Sequence, residues 1–150
     1  MKKIYAREEH CIGCRLCEIH CSAAHSKYPD DLVKAFKKAE VLPVPRVKVE
    51  EDIPLSFALQ CRHCEEPHCL TACITGAMYR DEKTGAILND PERCVGCWTC
   101  IVVCPYGAIF RDEGVGKVVA KCDLCLEQGE PACVANCPNA ALVLKEKGGE

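Results

Sequence analysis

The stretch ERCVGCWTCIVVCP, residues 92–105, sets four cysteines into eleven positions, follows the last with a proline and carries the chain's single tryptophan, Trp98. Reading outward from it, the same arrangement returns three more times in looser form. Block one is CIGCRLCEIHC, with Cys11, Cys14, Cys17 and Cys21. Block two is CRHCEEPHCLTAC, with Cys61, Cys64, Cys69 and Cys73. The stretch quoted first is block three, with Cys94, Cys97, Cys100 and Cys104. Block four is CDLCLEQGEPACVANCP, with Cys122, Cys125, Cys133 and Cys137. Four blocks of four account for all 16 cysteines of the 150 residues, a density at which the thiols must be bound by something.

The choice lies between disulfides and metal. The amino terminus, MKKIYAREEHC, starts basic and then places Arg7, Glu8 and Glu9 where a signal peptide needs an apolar core. The most apolar stretch, Cys97 to Phe110, is about fourteen residues, interrupted by Pro105 and Gly107 and short of the roughly 20 a bilayer requires. The expectation is a cytoplasmic chain with no membrane span, where thiols stay reduced and clustered cysteines bind metal. The formal net charge is -3 before any thiolate is counted, which argues against a nucleic-acid partner. The one basic run, Lys34, Lys37 and Lys38, falls in PDDLVKAFKKAE, read as a solvated helix capped by Asp30 or Asp31 with Leu32, Phe36 and Ala39 on its apolar face.

Blocks one and three have the spacing C-x2-C-x2-C-x3-C, the run that binds 4Fe-4S clusters in bacterial ferredoxins. Two intervening residues make a tight loop that points successive thiolates at one compact cluster, and Gly13 and Gly96 let the backbone bend over it. Three sulfurs per loop reach one cube. The fourth cysteine comes as the chain turns into a short helix and serves the other cluster of a pair. Zinc sites also use C-x2-C pairs, and blocks two and four alone would be ambiguous, but blocks one and three favour iron.

The segments between blocks bear on their pairing. After Cys73, AMYR and AILN flank the turn DEKTG, a hairpin leading into block three, which couples blocks two and three. Blocks one and four then form the other pair, with KKIYAR and AALVLK as closing strands. A rival arrangement joins one with two and three with four. The 39 residues between Cys21 and Cys61 weaken it, while GAIFRDEGVGKVVAKC, a second hairpin between blocks three and four, keeps it open.

PRVKVEEDIPLSFALQCRHCEEPHC followed by CVGCWTCIVVCPYGAI resembles the four-cluster ferredoxin-type electron-transfer subunits of the family named for the iron-sulfur subunit of dimethyl sulfoxide reductase. That family includes formate dehydrogenase beta subunits, formate hydrogenlyase iron-sulfur subunits, the iron-sulfur protein serving carbon monoxide dehydrogenase and polyferredoxin subunits of tungsten aldehyde oxidoreductases. The resemblance implies an α+β fold of two nested bacterial-ferredoxin-like dicluster modules, with short strands, short helices and loop-rich cluster-binding segments. Residues 1–52 with 111–150 would be the outer module and 53–110 the inner one. It further implies four 4Fe-4S clusters. Cys11, Cys14, Cys17 and Cys137 would hold one outer cluster, and Cys122, Cys125, Cys133 and Cys21 the other. Cys61, Cys64, Cys69 and Cys104 would hold one inner cluster, and Cys94, Cys97, Cys100 and Cys73 its neighbour. Trp98 stands beside Cys97 and replaces no cysteine, whereas in some nitrate reductase relatives a tryptophan does. Ile74 follows Cys73 where proline often stands, and the sequence stops at Glu150 without the membrane anchor of some relatives.

Clusters with four cysteine ligands leave no open coordination position, so the chain is expected to pass single electrons and to convert no substrate itself. The resemblance implies a catalytic redox partner: carbon monoxide dehydrogenase, a tungsten or molybdenum aldehyde or formate oxidoreductase, or a hydrogenase. A flavin-containing NAD(P)H or ferredoxin reductase is a further candidate partner. The alternative is a filament-forming structural protein or a maturation accessory. Glu65 and Glu66, inside a ligand loop, are expected to oppose reduction of the adjacent cluster. His63 and His68 are expected to hydrogen-bond or lie exposed, His10, His20 and His25 receive no role, and Trp98 and Tyr106 are expected to shield an inner cluster. With 5% aromatics there is little bulk for an ordinary core, so ligation is expected to direct folding.

Overall fold

The computed structural model describes residues 1–112, 114 and 118–146. The architecture is α+β. Among the described residues the strands pair into two-stranded antiparallel sheets, each tied to a cysteine block.

The two ends of the chain close on each other. β1 (Lys2–Ala6) pairs with β8 (Leu142–Glu146) in the register Lys2↔Glu146 to Ala6↔Leu142, burying Ile4 and Leu142. β2 (Val47–Asp52) and β3 (Leu55–Gln60) form a hairpin in which Val47 and Val49 go under while Lys48 stays out, the period-two pattern of a strand with one wet face. The boundary expected between residues 52 and 53 falls at the tip of this hairpin. Its last residue, Gln60, is buried and donates from Nε2 to Ile4 O at 3.1 Å, which fastens β3 to β1.

The hairpin expected from AMYR and AILN is formed by β4 (Met78–Arg80) and β5 (Ile87–Asn89), with Met78 opposite Asn89. Its turn closes because the Asp81 carboxylate accepts from the Thr84 N–H at 2.8 Å and from the Thr84 hydroxyl at 2.6 Å. β6 (Ile109–Asp112) and β7 (Val118–Lys121) pair from Ile109↔Lys121 to Asp112↔Val118. Most of the turn foreseen in GAIFRDEGVGKVVAKC lies outside the described residues.

Among the described residues four α-helices belong to the cysteine blocks: α1 (Leu16–Ala24), α3 (His68–Thr71), α4 (Thr99–Val102) and α5 (Ala132–Ala135). The fifth, α2 (Leu32–Lys37), is capped as foreseen, Asp31 accepting from the Lys34 N–H at 2.9 Å. Its apolar face differs from the expected one. Leu32 is 39% exposed and Ala35 is the residue that goes under, because a helix stopping at Lys37 makes less than two turns and sustains no longer stripe. No helix among the described residues is long and apolar enough to cross a membrane.

Large apolar side chains contribute little to the interior. Ile87, Leu142, His63, Val47 and Pro131 are the largest that are fully buried, and much of the rest is alanine, valine and cysteine. Cys17, Cys21, Cys61, Cys122 and Cys133 pack with Ile4, Val47, Val49 and Leu142, while Cys100 packs with Met78, Ile109 and Val119. The sulfurs are part of the core.

Candidate functional site

All four blocks share one backbone device. The residue just before the second cysteine has a left-handed φ: Gly13 at 66° and Gly96 at 69°, but also His63 at 44° and Leu124 at 60°. Glycine adopts this conformation freely, whereas His63 and Leu124 adopt it as buried residues, at a cost the surrounding structure must offset. In blocks one and three the residue after the second cysteine, Arg15 or Trp98, is left-handed too and caps the helix that follows. The third cysteine is then the second residue of its helix in every block: Cys17 in α1, Cys69 in α3, Cys100 in α4 and Cys133 in α5. The fourth follows four residues later, still inside α1 for Cys21 and just past the end of the helix for Cys73, Cys104 and Cys137.

Two cavities show which blocks meet. One is lined by Cys11, Cys14 and Cys17 together with Cys137. The other is lined by Cys94, Cys97 and Cys100 together with Cys73. Each takes three sulfurs from one loop and the fourth from another block.

The thiol electrostatics trace the same neighbourhoods. Burial pushes the Cys17 thiol up to about 12, with Cys14 and Cys11 adding to it. Cys64 and Cys69 are raised by burial and then by Cys61 and Cys104. Burial raises Cys133, seconded by Cys122, Cys21, Cys125 and Cys17. Burial also lifts Cys100 to about 11, with Cys69, Cys94 and Cys97 acting in the same direction. Crowded, desolvated thiols resist ionising together, and a cation between them supplies the missing charge and removes their protons.

Backbone donors are aimed at several sulfurs. Arg46 N–H lies 3.2 Å from Cys21 Sγ, Met78 N–H 3.4 Å from Cys73 Sγ and Ala141 N–H 3.2 Å from Cys137 Sγ, so three of the four fourth cysteines accept such a bond. His63 N–H does the same for Cys61 at 3.4 Å. At Cys73 burial acts upward on the thiol, but the Met78 N–H and the Thr75 N–H and hydroxyl outweigh it and hold the group below its ordinary value. All-sulfur donor sets with N–H groups directed at them fit an iron-sulfur centre.

Other foreseen residues lie as follows. His63 is fully buried; its Nδ1 accepts the Ile87 N–H at 3.1 Å and its Nε2 has no hydrogen-bond partner among the described residues. Burial first, and then the charges of Lys121 and Lys3, depress its pKa to about 3, so it is neutral. His68 and the carboxylates Glu65 and Glu66 are exposed, which screens their charge. His25 donates to Cys21 O at 2.7 Å and from Nε2 to both Asp123 oxygens at 3.2 Å. Burial would depress it, yet the bond to Asp123 prevails and lifts its pKa to about 9. Trp98 is half-buried beside Cys100, with the Arg111 guanidinium 4.8 Å above its ring. Tyr106 is 40% exposed and stacks under Arg62 at 4.5 Å, so it covers less of the inner blocks than its position suggested.

Lys121 was not foreseen. It is 3% exposed and bonds through Nζ to Ile87 O and, at 3.3 Å, to Cys122 O. Its only signal is its place: Val119 and Lys121 share one face of β7, where an apolar residue belongs.

The model of the 4Fe-4S dicluster domain matches residues 54–147. The chain belongs to the 4Fe-4S dicluster domain family. The electron transport protein HydN of Escherichia coli (strain K12) is 37% identical over 162 residues, covering 96% of this chain and 87% of that protein. The thiosulfate reductase electron transfer subunit PhsB of Salmonella typhi is 35% identical over 142 residues, covering 90% of this chain and 70% of that one. The active site complex BamBC of benzoyl coenzyme A reductase with zinc contains a chain 25% identical to this one, with a TM-score of 0.52 over 100% of this chain and 81% of the other. As a dicluster-domain protein, the chain is an iron-sulfur electron-transfer protein of the kind that serves oxidoreductases.

Proposed function

We propose that the chain holds four 4Fe-4S clusters and passes single electrons between a catalytic metalloenzyme subunit and a redox acceptor or donor. The reading is carried by the two cavities, each lined by three cysteines of one block and the fourth of another. When bound, such clusters supply one-electron chemistry at potentials spanning roughly -700 to +450 mV.

In this reading Cys11, Cys14, Cys17 and Cys137 hold one centre, and Cys122, Cys125, Cys133 and Cys21 the next. Cys61, Cys64, Cys69 and Cys104 hold the third, and Cys94, Cys97, Cys100 and Cys73 the fourth. In this reading the outer module is 1–52 with 111–150, closed by the pairing of β1 with β8, and the inner module is 53–110, which contains the β4–β5 hairpin. An order of the sets in this sequence is supported by the thiols that influence one another, Cys17 on Cys133, Cys61 on Cys122 and Cys69 on Cys100. The end sets contain the exposed Cys14 and Cys97, which opens both ends to partners, while Cys61, Cys122, Cys125 and Cys133 sit buried in between. The backbone donors at Cys21, Cys73 and Cys137 favour the reduced form by stabilising charge on sulfur.

The partner is an oxidoreductase subunit, for which a carbon monoxide dehydrogenase, a tungsten or molybdenum aldehyde or formate enzyme, and a hydrogenase are the candidates; the second partner is a flavin-containing reductase. Anaerobic co-purification tests this. A larger metalloenzyme subunit at fixed stoichiometry, losing electron output when this chain is removed, is the expected result. A partner fully active without the chain would overturn it in favour of an accessory role.

A further inference from the structure

Lys121 closes β7 immediately before the first cysteine of block four, and its side chain is 3% exposed. Its Nζ donates to two carbonyl oxygens, those of Ile87 and Cys122. Carbonyl dipoles hold an ammonium in place but do not neutralise it. Among the described residues no carboxylate pairs with it, and Asp123, two positions on, is already engaged by Arg46 and by His25. A buried cation without a counter-charge is costly, so the fold must supply negative charge close by.

The surroundings name the source. Ile87, whose carbonyl accepts from Lys121, gives its N–H to His63, between Cys61 and Cys64 of block two. The Lys121 charge acts on Cys69 of block two and on Cys122 of block four, in each case against the effect of burial. Cys61 and Cys122 are themselves neighbours. Lys121 therefore stands where the block two and block four sets meet.

We propose that Lys121 is the counter-charge shared by the two central clusters, and that it raises their midpoint potentials relative to those of the two end clusters. The inference rests on the ligand sets proposed above. A fixed positive charge in a low-dielectric interior favours the form of a neighbouring centre that carries one more electron, and its effect falls off with distance. The carbonyls of Ile87 and Cys122 hold that charge at the junction of the two modules, where an electron crossing the chain passes from one to the other.

The test is a redox titration of the fully loaded chain followed by electron paramagnetic resonance, comparing the unaltered protein with Lys121→Gln and Lys121→Met. Glutamine removes the charge while retaining a side-chain N–H donor on a shorter stem, so it carries the comparison if the methionine variant fails to load. The expected result is that two of the four midpoint potentials fall while the other two barely move. Potentials that all stay put, or all shift equally, at full iron content overturn the inference alone. Fewer than four clusters in the unaltered chain overturns the ligand reading and this inference with it.

Discussion

The Nδ1 atom of His63 accepts the backbone N–H of Ile87 at 3.1 Å, so the loop of block two is fastened to the first residue of β5 by a bond sealed from water. Replacing the imidazole strands that N–H in the interior. His63→Ala is expected to destabilise the loaded protein by about 1–3 kcal/mol from the orphaned donor, with lost packing in addition. Denaturant unfolding measures the sum, and faster hydrogen exchange at the Ile87 amide locates it. Exchange as slow as in the unaltered protein would show that the bond is not what holds β5.

Gly13 has φ 66°, and a Cβ built on it would meet Glu51 Oε1 at 3.4 Å and Ser56 Oγ at 3.6 Å, both ordinary contacts. The need for glycine is therefore in the backbone and not in space. Gly13→Ala is expected to cost roughly 1–2 kcal/mol in unfolding free energy with iron content unchanged. A variant as stable as the parent would mean the loop tolerates a right-handed alternative.

The sixteen cysteines and the hairpin of β4 and β5 were legible because their signals are local: fixed spacing in one case, and turn residues between short apolar runs in the other. The alternation of Val47 and Val49 with Lys48 and Glu50 was equally local, although the segment first stood out through its family likeness. His63 and Lys121 were harder to read. Nothing in a histidine inside a ligand loop, or a lysine before a cysteine, reveals full burial, which depends on β5 arriving from elsewhere in the chain. The left-handed φ of His63 and Leu124 was hidden for a related reason, since only glycine announces that conformation by its identity. Leu32 was misplaced because a periodic pattern does not say where a helix stops.

Removal of metal should unfold the chain. Few large side chains are fully buried, and cysteines fill much of the space between them, so an apo form would have to bury crowded thiols without the charge that reconciles them. Chelator-stripped protein is expected to lose its native circular dichroism and any cooperative thermal transition. A stripped protein that melts cooperatively from a native-like spectrum would contradict this.

The number of centres is the claim on which the relay depends, and anaerobic native mass spectrometry of the intact chain, with iron and sulfide determined on the same sample, reads it directly. The account predicts a single dominant species carrying four cubane clusters, about sixteen irons per chain. A fully occupied species with two clusters, or one holding zinc in place of iron, would contradict it.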